Sequence, residues 1–488
     1  MPFPYDFPIT FPDRYLIEVT WGSSIYDDIT ADVKTVHFSR GKSDELGKAE
    51  VGQLSITLKN ADAKYTPNAG GVISAYLLPK KPISIIYCDG ATDYPLFYGF
   101  IEEIIPHPHW AEQDCIITAS DGLDFLSRHD LDTILYKDTL TGAIHSAILD
   151  SAGWSATMRT LDAGQNTIPY WYSSGVKARF AQEEIDDSEL GFSYVDGSGY
   201  FRFEDRTHRP LHVTASATFD NTMANITYNL NAKRIYNEIT ATVTPWAIQA
   251  EAELWRLKET PSIPTGETYT WWGESSYSGT SVFVDAWVTP VAGAGNDYTA
   301  NSAVGGGGDD ETGNITITTT KFAKTIKLAI KNNALHTVYI TLLKARGTWY
   351  DDQTKVTRKA TDTTSQTTYQ KRTLAVDAKY MTTATTAQDF CDFALARYKD
   401  PQPEVTISLV NKNATLLANI LSLEISDRIA VVNDKLNLSQ DFYIDYMEHD
   451  ISLSGLLHTV SYKLVPGTNE DMWVWGVSIW GSTTKWGF

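Results

Sequence analysis

His107 and His109 stand two residues apart around Pro108, a spacing that puts both imidazoles on one side of an extended segment. Two imidazoles without a third ligand fall short of a metal site, and the pair reads as the polar end of a strand. None of the ten histidines sits in an H-E-x-x-H sequence, no cysteine stands at zinc-ligand spacing, and neither G-x-S-x-G nor a phosphate-binding glycine loop occurs. Carboxylates are abundant but poorly placed for acid–base work. Glu102 beside Glu103, and Asp186 beside Asp187, point apart on a strand or helix, whereas two catalytic carboxylates must converge across a substrate. Gly305–Gly308 run into Asp309, Asp310 and Glu311, a loop tip without the ligand spacing of a calcium loop. Trp271, Trp272, Tyr277 and Trp287 are better suited to a ligand, because their ring faces could stack on sugars. Core and interface packing draws on the same residue types. The sequence therefore predicts no catalytic, cofactor or metal site.

Bulk properties narrow the classes further. At 488 residues the chain is long enough for three or four domains of roughly 100–200 residues each. A net charge of −20 repels phosphate backbones and anionic membranes, which argues against stable nucleic-acid binding. The charge either keeps the protein soluble or lines a passage through which DNA slides without sticking. No apolar run is long enough to cross a bilayer, so no membrane insertion is expected. The start, MPFPYDFPITFPDRY, has no basic residues ahead of an apolar stretch and reads as a proline-rich extended arm, against a signal peptide. Cys88, Cys115 and Cys391 are odd in number and far apart, as expected of free thiols, mostly buried, in a chain folded in the cytosol.

The elements that would carry these residues are mostly strands. From Tyr15 to about Asp130, alternating segments such as Val33–Ser39, Gln53–Lys59, Leu96–Ile105 and Asp114–Ala119 are separated by Gly, Pro, Asn and Asp clusters. The period then changes. Asp138 or Thr139 can cap a helix bearing Leu140, Ile144 and Ile148, which Gly153 stops. A second helix is predicted over Ser174–Leu190, with Val176, Phe180, Ala181 and Ile185 inward and Glu183, Glu184, Asp186 and Asp187 outward. Asp196–Gly199 marks a hairpin. Short alternating strands in a Thr-, Ser- and Gly-rich stretch, about Glu251 to Gln370, predict an antiparallel β-sandwich inserted between two flanking blocks. Thr386 caps a helix ending at Asp400-Pro401, and strands follow to Pro466. Beyond them lie Trp473, Trp475, Trp480 and Trp486, four of the fourteen tryptophans. These either pack back on their own chain or dock into a neighbouring protein.

Three ordered sets of motifs are more specific than periodicity. The first is Arg40–Asn68, RGKSDELGKAEVGQLSITLKNADAKYTPN, followed by Leu78-Pro79 with Pro82-Ile83 and by Phe97–Glu102. The second is Ala152–Trp154, Leu161–Gly164 and Tyr194–Arg206. The third is Ala396–Pro403, Ser426–Val431, Glu448-His449 and Leu464–Pro466. Together they resemble bacteriophage minor tail proteins of the tail-hub (baseplate-hub) family, over about residues 15–245 and 374–466. The resemblance implies two tube-like β-barrel hub domains and a small α/β module; with the inserted antiparallel β-sandwich read from strand spacing, the expected fold is mainly β. On that basis the expected division is 1–14 an arm, 15–130 the first barrel, 131–210 the module, 211–250 with 371–466 a second, discontinuous barrel, 251–370 the sandwich and 467–488 a Trp-Gly tail. It also implies a homotrimeric ring in the virion tail tip, with a distal tail protein, a tape-measure protein and a tail fibre or receptor-binding protein as partners; the lack of catalytic motifs separately leads us to expect no enzymatic role. Arg40, Asp44 and Glu45 in the first motif and Trp473, Trp475, Trp480 and Trp486 are then the candidate subunit or partner contacts. Trp271, Trp272, Tyr277 and Trp287 remain the candidate glycan platform of an alternative reading, a host-surface adhesin.

Overall fold

The structure, a computed structural model, describes residues 14–22, 25–109, 113–377, 379–381, 383–452 and 457–467. As expected, the fold is mainly β with a small α/β part and an inserted antiparallel sandwich. Its spine is one thirteen-stranded sheet. In spatial order the path runs Asn225–Leu230, Pro403–Val410, Leu457–Pro466, Leu438–Ser452, Val33–Gly41, Glu50–Lys59, Gln113–Ser120, Asp93–Pro108, Pro82–Cys88, Arg14–Gly22 and Ile25–Asp28. Arg428–Asn433 pairs with Leu438–Ser452, and Ala217–Phe219 lies parallel beside it. The path does not close into two separate barrels. Val33–Gly41 joins Leu438–Ser452 in antiparallel register, Phe38 opposite His449 and Arg40 opposite Met447, so the two halves of the chain form one open sheet.

Side-chain alternation decides that joint. Val36 and Phe38 point inward with Leu54, Ile56 and Leu58 of the next strand, while Thr35 and His37 face solvent. A slip by one residue would exchange the two faces, and each buried Ile, Leu or Phe moved into water costs about 1.5–3 kcal/mol. One core fills the sheet half that holds Tyr15, Trp21, Phe38, Ile56 and Phe97. A second core is shared by the small α/β part (Ile144, Ile148, Ile185, Phe201, Phe203) and the second sheet half (Ile407, Ile429, Phe442, Tyr462).

Within the α/β part the helix Thr141–Ser151 ends at Gly153, whose φ of 77° is the left-handed conformation that favours glycine. The second helix starts later than its pattern predicts. Ser174–Lys177 forms a strand against Asp130–Asp132, and only Ala178–Glu189 is helical. Its buried residues are Ala178, Ala181, Gln182, Ile185, Asp186, Ser188 and Glu189, so Phe180 points outward at 56% exposure and Asp186 inward. The carboxylates turn inward because partners wait there: Asp186 lies 3.2 Å from His145, and Glu189 accepts from Thr141 Oγ1 at 2.9 Å and Asn166 N at 3.0 Å.

Glu238–Val243 and Thr373–Asp377 stand outside the large sheet. They pair in parallel, with Val356–Thr361 on the other edge, under the helix Ala384–Tyr398. The sandwich comprises Trp246–Arg256, Phe283–Trp287 and Tyr298–Asn301 on the long strand Val338–Asp352, facing Thr268–Glu274, Thr325–Asn332 and Ile315–Lys321 across a core of Leu254, Ile326, Leu328 and Ile340. It rests on the α/β part through Tyr170, which stacks on Tyr350 at 4.7 Å and meets Trp246 and Phe283, and through Lys137 Nζ on Asp285 Oδ1 at 2.5 Å.

Candidate functional site

A dense group of charged side chains lies where the first motif meets the second and third. Arg40 is 3% exposed. Its guanidinium donates Nη1 to Glu424 Oε1 at 2.8 Å, Nη2 to Glu424 Oε2 at 3.1 Å and Nη1 to the Val195 carbonyl at 3.3 Å. Glu424 in turn accepts from Gly197 N at 2.9 Å and Ile425 N at 2.8 Å. One fork thus ties the Val33–Gly41 strand, the hairpin turn of the α/β part and the segment before Arg428–Asn433. Bidentate geometry of this kind is directional as well as charge-assisted.

Gly41 follows with φ 105°, and a Cβ there would stand 2.2 Å from the Asp445 carbonyl. Only glycine lets the chain turn so close to its neighbour strand. The turn aims Lys42 and Glu45 inward. Glu45, 8% exposed, accepts Arg397 Nε at 2.8 Å and Nη2 at 2.7 Å, and Arg397 Nη2 also reaches the Pro466 carbonyl at 3.0 Å. Burial alone would raise the Glu45 pKa, but Arg397, then Lys42 and Arg234, outweigh it and hold the carboxyl below its ordinary range. Lys42 donates to the Glu45 carbonyl at 2.8 Å and lies 4.4 Å over the Phe192 ring; burial depresses its pKa against the pull of Asp445. Arg209 completes the group, on Asp445 Oδ1 at 2.5 Å and Ser426 Oγ at 2.7 Å. A cleft of about 140 Å³ between these residues is lined by Glu45, Phe192, Arg206, Arg209, Arg397 and Tyr443, among others. Opposite charges are paired within this group, and the pairs hold its segments together.

The sequence-predicted contacts divide accordingly. Arg40 and Glu45 are engaged inside the chain, so an outward contact in this motif falls to Asp44, whose side chain is 65% exposed and 4.0 Å from Arg234. Trp473, Trp475, Trp480 and Trp486 lie outside the described residues. The four aromatics of the sandwich do not make one platform. Trp287 is buried, with Nε1 on the Phe322 carbonyl at 2.8 Å, and Trp271 packs against the sandwich core. Trp272, 57% exposed, stacks on Phe322 at 5.7 Å, while Tyr277 stacks on Trp349 at 4.5 Å. Asp310 accepts from Thr312, and Glu311 faces Asn314 and His336, so the carboxylates after the glycine run serve local partners. Glu424, Arg397 and Arg209 were not singled out by sequence reasoning. Arg397 and Ser426 do lie in the third motif set, which was the available signal.

No protein-family model and no curated protein matches the sequence. Solved structures do. The 43 kDa tail protein of prophage MuSo2 from Shewanella oneidensis is 10% identical, with a TM-score of 0.51 over 93% of this chain and 99% of that one. The fold is that of a prophage tail protein. A tail protein from Neisseria meningitidis MC58 (10% identical, TM-score 0.49, 92% of this chain and 96% of that one) is similar at a lower level. So is prophage tail protein gp18 from Listeria monocytogenes EGD-e (8% identical, TM-score 0.45, 92% and 94%). In the tail-protein fold of this chain, the charged group sits at the joint between the sheet, the hairpin and the Ala384–Tyr398 helix.

Proposed function

We propose that this chain is a structural tail-hub protein of a long-tailed bacteriophage. Three copies form a ring at the distal end of the tail tube, join the tube to tip and fibre proteins, and gate the DNA channel. Likeness in fold to a prophage tail protein, over nearly the full length of both chains, is the observation that carries this reading. The open sheet supports it: among the described residues Asn225–Leu230 and Ile25–Asp28 each pair on one side only, and such edges are normally paired or covered. The charged joint supports it too, because a wall that transmits force needs blocks that do not slide. In this account a distal tail protein lies above, a tape-measure protein inside and a fibre or receptor-binding protein below. The ring holds a continuous passage and opens when the tip engages the host, and the net charge of −20 keeps DNA from sticking in it. Native mass spectrometry of the purified full chain tests the ring: a trimer is expected, and a monomer at every concentration tried would overturn it.

The exposed Trp272–Phe322 pair, with Tyr277 exposed over the buried Trp349, favours a second reading, in which the sandwich binds host glycans as a tail-tip adhesin. Glycan arrays probed with the full chain and with Trp272→Ala separate the two. Binding lost in the variant supports the adhesin, and no binding by the parent chain ends it.

A further inference from the structure

We infer that the joint between the two sheet halves carries a divalent transition-metal site formed by His37, Glu448 and Asp450. His37 is the direct cross-strand partner of Asp450, and Glu448 lies two residues earlier on the same face of the Leu438–Ser452 strand. His37 Nδ1 is 2.9 Å from Asp450 Oδ1, and Nε2 is 3.6 Å from Glu448 Oε1. One ligand atom from each residue lies within 4.8 Å of the other two. The two carboxylates meet opposite ring nitrogens, and an ion takes only one of them, so one solvent-facing carboxylate must swing round to the nitrogen that the other already faces. Bonds of about 2.0–2.2 Å put neighbouring ligand atoms about 3 Å apart, and the present spacing of 4.8 Å or less leaves that rotation short. The paired strands hold the three Cα positions fixed, and 41–64% exposure leaves positions for water on the ion.

Charge points the same way. Two carboxylates face one imidazole, and among the described residues His37 is the ion-pair partner of both. The cross-strand neighbours are Ser39, Ser55, Thr459 and Ser461, hydroxyls that cannot neutralise the excess. A divalent cation balances two carboxylates, and an imidazole with two carboxylate oxygens suits Zn²⁺, Co²⁺, Ni²⁺ or Mn²⁺ better than Ca²⁺ or Mg²⁺. Because its ligands come from both halves of the chain, such an ion fastens the sheet where no covalent link does, and by binding the folded form it raises stability.

The test is Zn²⁺ titration of the untagged full chain by calorimetry, with Co²⁺ absorption and thermal unfolding alongside. The parent chain should bind one ion and unfold at higher temperature with it. Either His37→Ala or Glu448→Gln should weaken binding at least about tenfold, the lower end of what loss of even an outer-shell partner costs, and erase the thermal shift. His107→Ala, at an exposed histidine elsewhere in the chain, should leave both unchanged. No binding below millimolar Zn²⁺, or binding that survives both His37→Ala and Glu448→Gln, overturns the site. Loss in His107→Ala overturns its location.

Discussion

Breaking the Arg40–Glu424 fork should have unequal consequences from its two ends. Arg40 is 3% exposed, and once Glu424 loses its charge the guanidinium keeps, among the described residues, the Val195 carbonyl at 3.3 Å and the Met447 sulfur as further hydrogen-bond partners, with the Asp196 and Asp121 carboxyls acting on it only from a distance. An uncompensated buried charge costs about 3–5 kcal/mol; the neutral amide of Glu424→Gln retains one acceptor, so about 3 kcal/mol is expected. Glu424 is 29% exposed and keeps the Gly197 and Ile425 amides, so water and backbone compensate it when Arg40→Met removes the cation. That change should cost only about 1–2 kcal/mol. Adding Arg40→Met to Glu424→Gln should recover stability, because no buried cation is then left without a counter-charge, with a coupling energy of about 1 kcal/mol or more. Guanidinium unfolding of the four proteins, followed by tryptophan fluorescence, reads all three quantities. Equal costs from both ends, or additive costs in the double variant, would refute the reasoning.

Three further outcomes follow from the same region. Asp121 is buried beside Gly52 and caps the helix Gly122–Arg128, and burial raises its pKa to about 7 against the pull of Leu123 N, Arg179 and Arg40. The unfolded chain releases that proton near pH 4 and the folded chain near pH 7, so stability is lost as pH rises through this window, by at most about 4 kcal/mol; Asp121→Asn, which keeps the cap, should flatten the decline in unfolding midpoint between pH 5 and 8. Gly41→Ala meets both the positive φ and a carbonyl at 2.2 Å, and should lower stability by about 2 kcal/mol or more, measured by denaturant unfolding. Asp44→Lys should leave monomer unfolding within about 0.5 kcal/mol of the parent while reducing assembly in native mass spectrometry; Glu45→Lys should instead prevent folding, because its charge would face Arg397 in a buried site.

Much of the β content was legible because strands such as Gln53–Lys59 alternate cleanly, and period two reports one buried face. The joining of Val33–Gly41 to Leu438–Ser452 was not legible. Both strands alternate in the same way, and nothing local marks which of many such strands pairs across four hundred residues. The late start of the Ala178–Glu189 helix has a similar cause: Ser174–Lys177 carries a helix-compatible pattern, and its pairing with Asp130–Asp132 overrides it. Arg40 and Glu45 looked like surface charges because their motif is polar. Their burial depends on Glu424 and Arg397, which only the folded chain brings near. The sandwich aromatics illustrate the same limit, since composition does not distinguish the buried Trp287 from the exposed Trp272.

The claim that this chain is a wall of the tail hub is tested most directly by locating and counting it in assembled tails by electron microscopy of whole virions. The account predicts three copies in one ring at the distal tip. Many copies stacked along the tube, or no density for the chain at the tip, would contradict it.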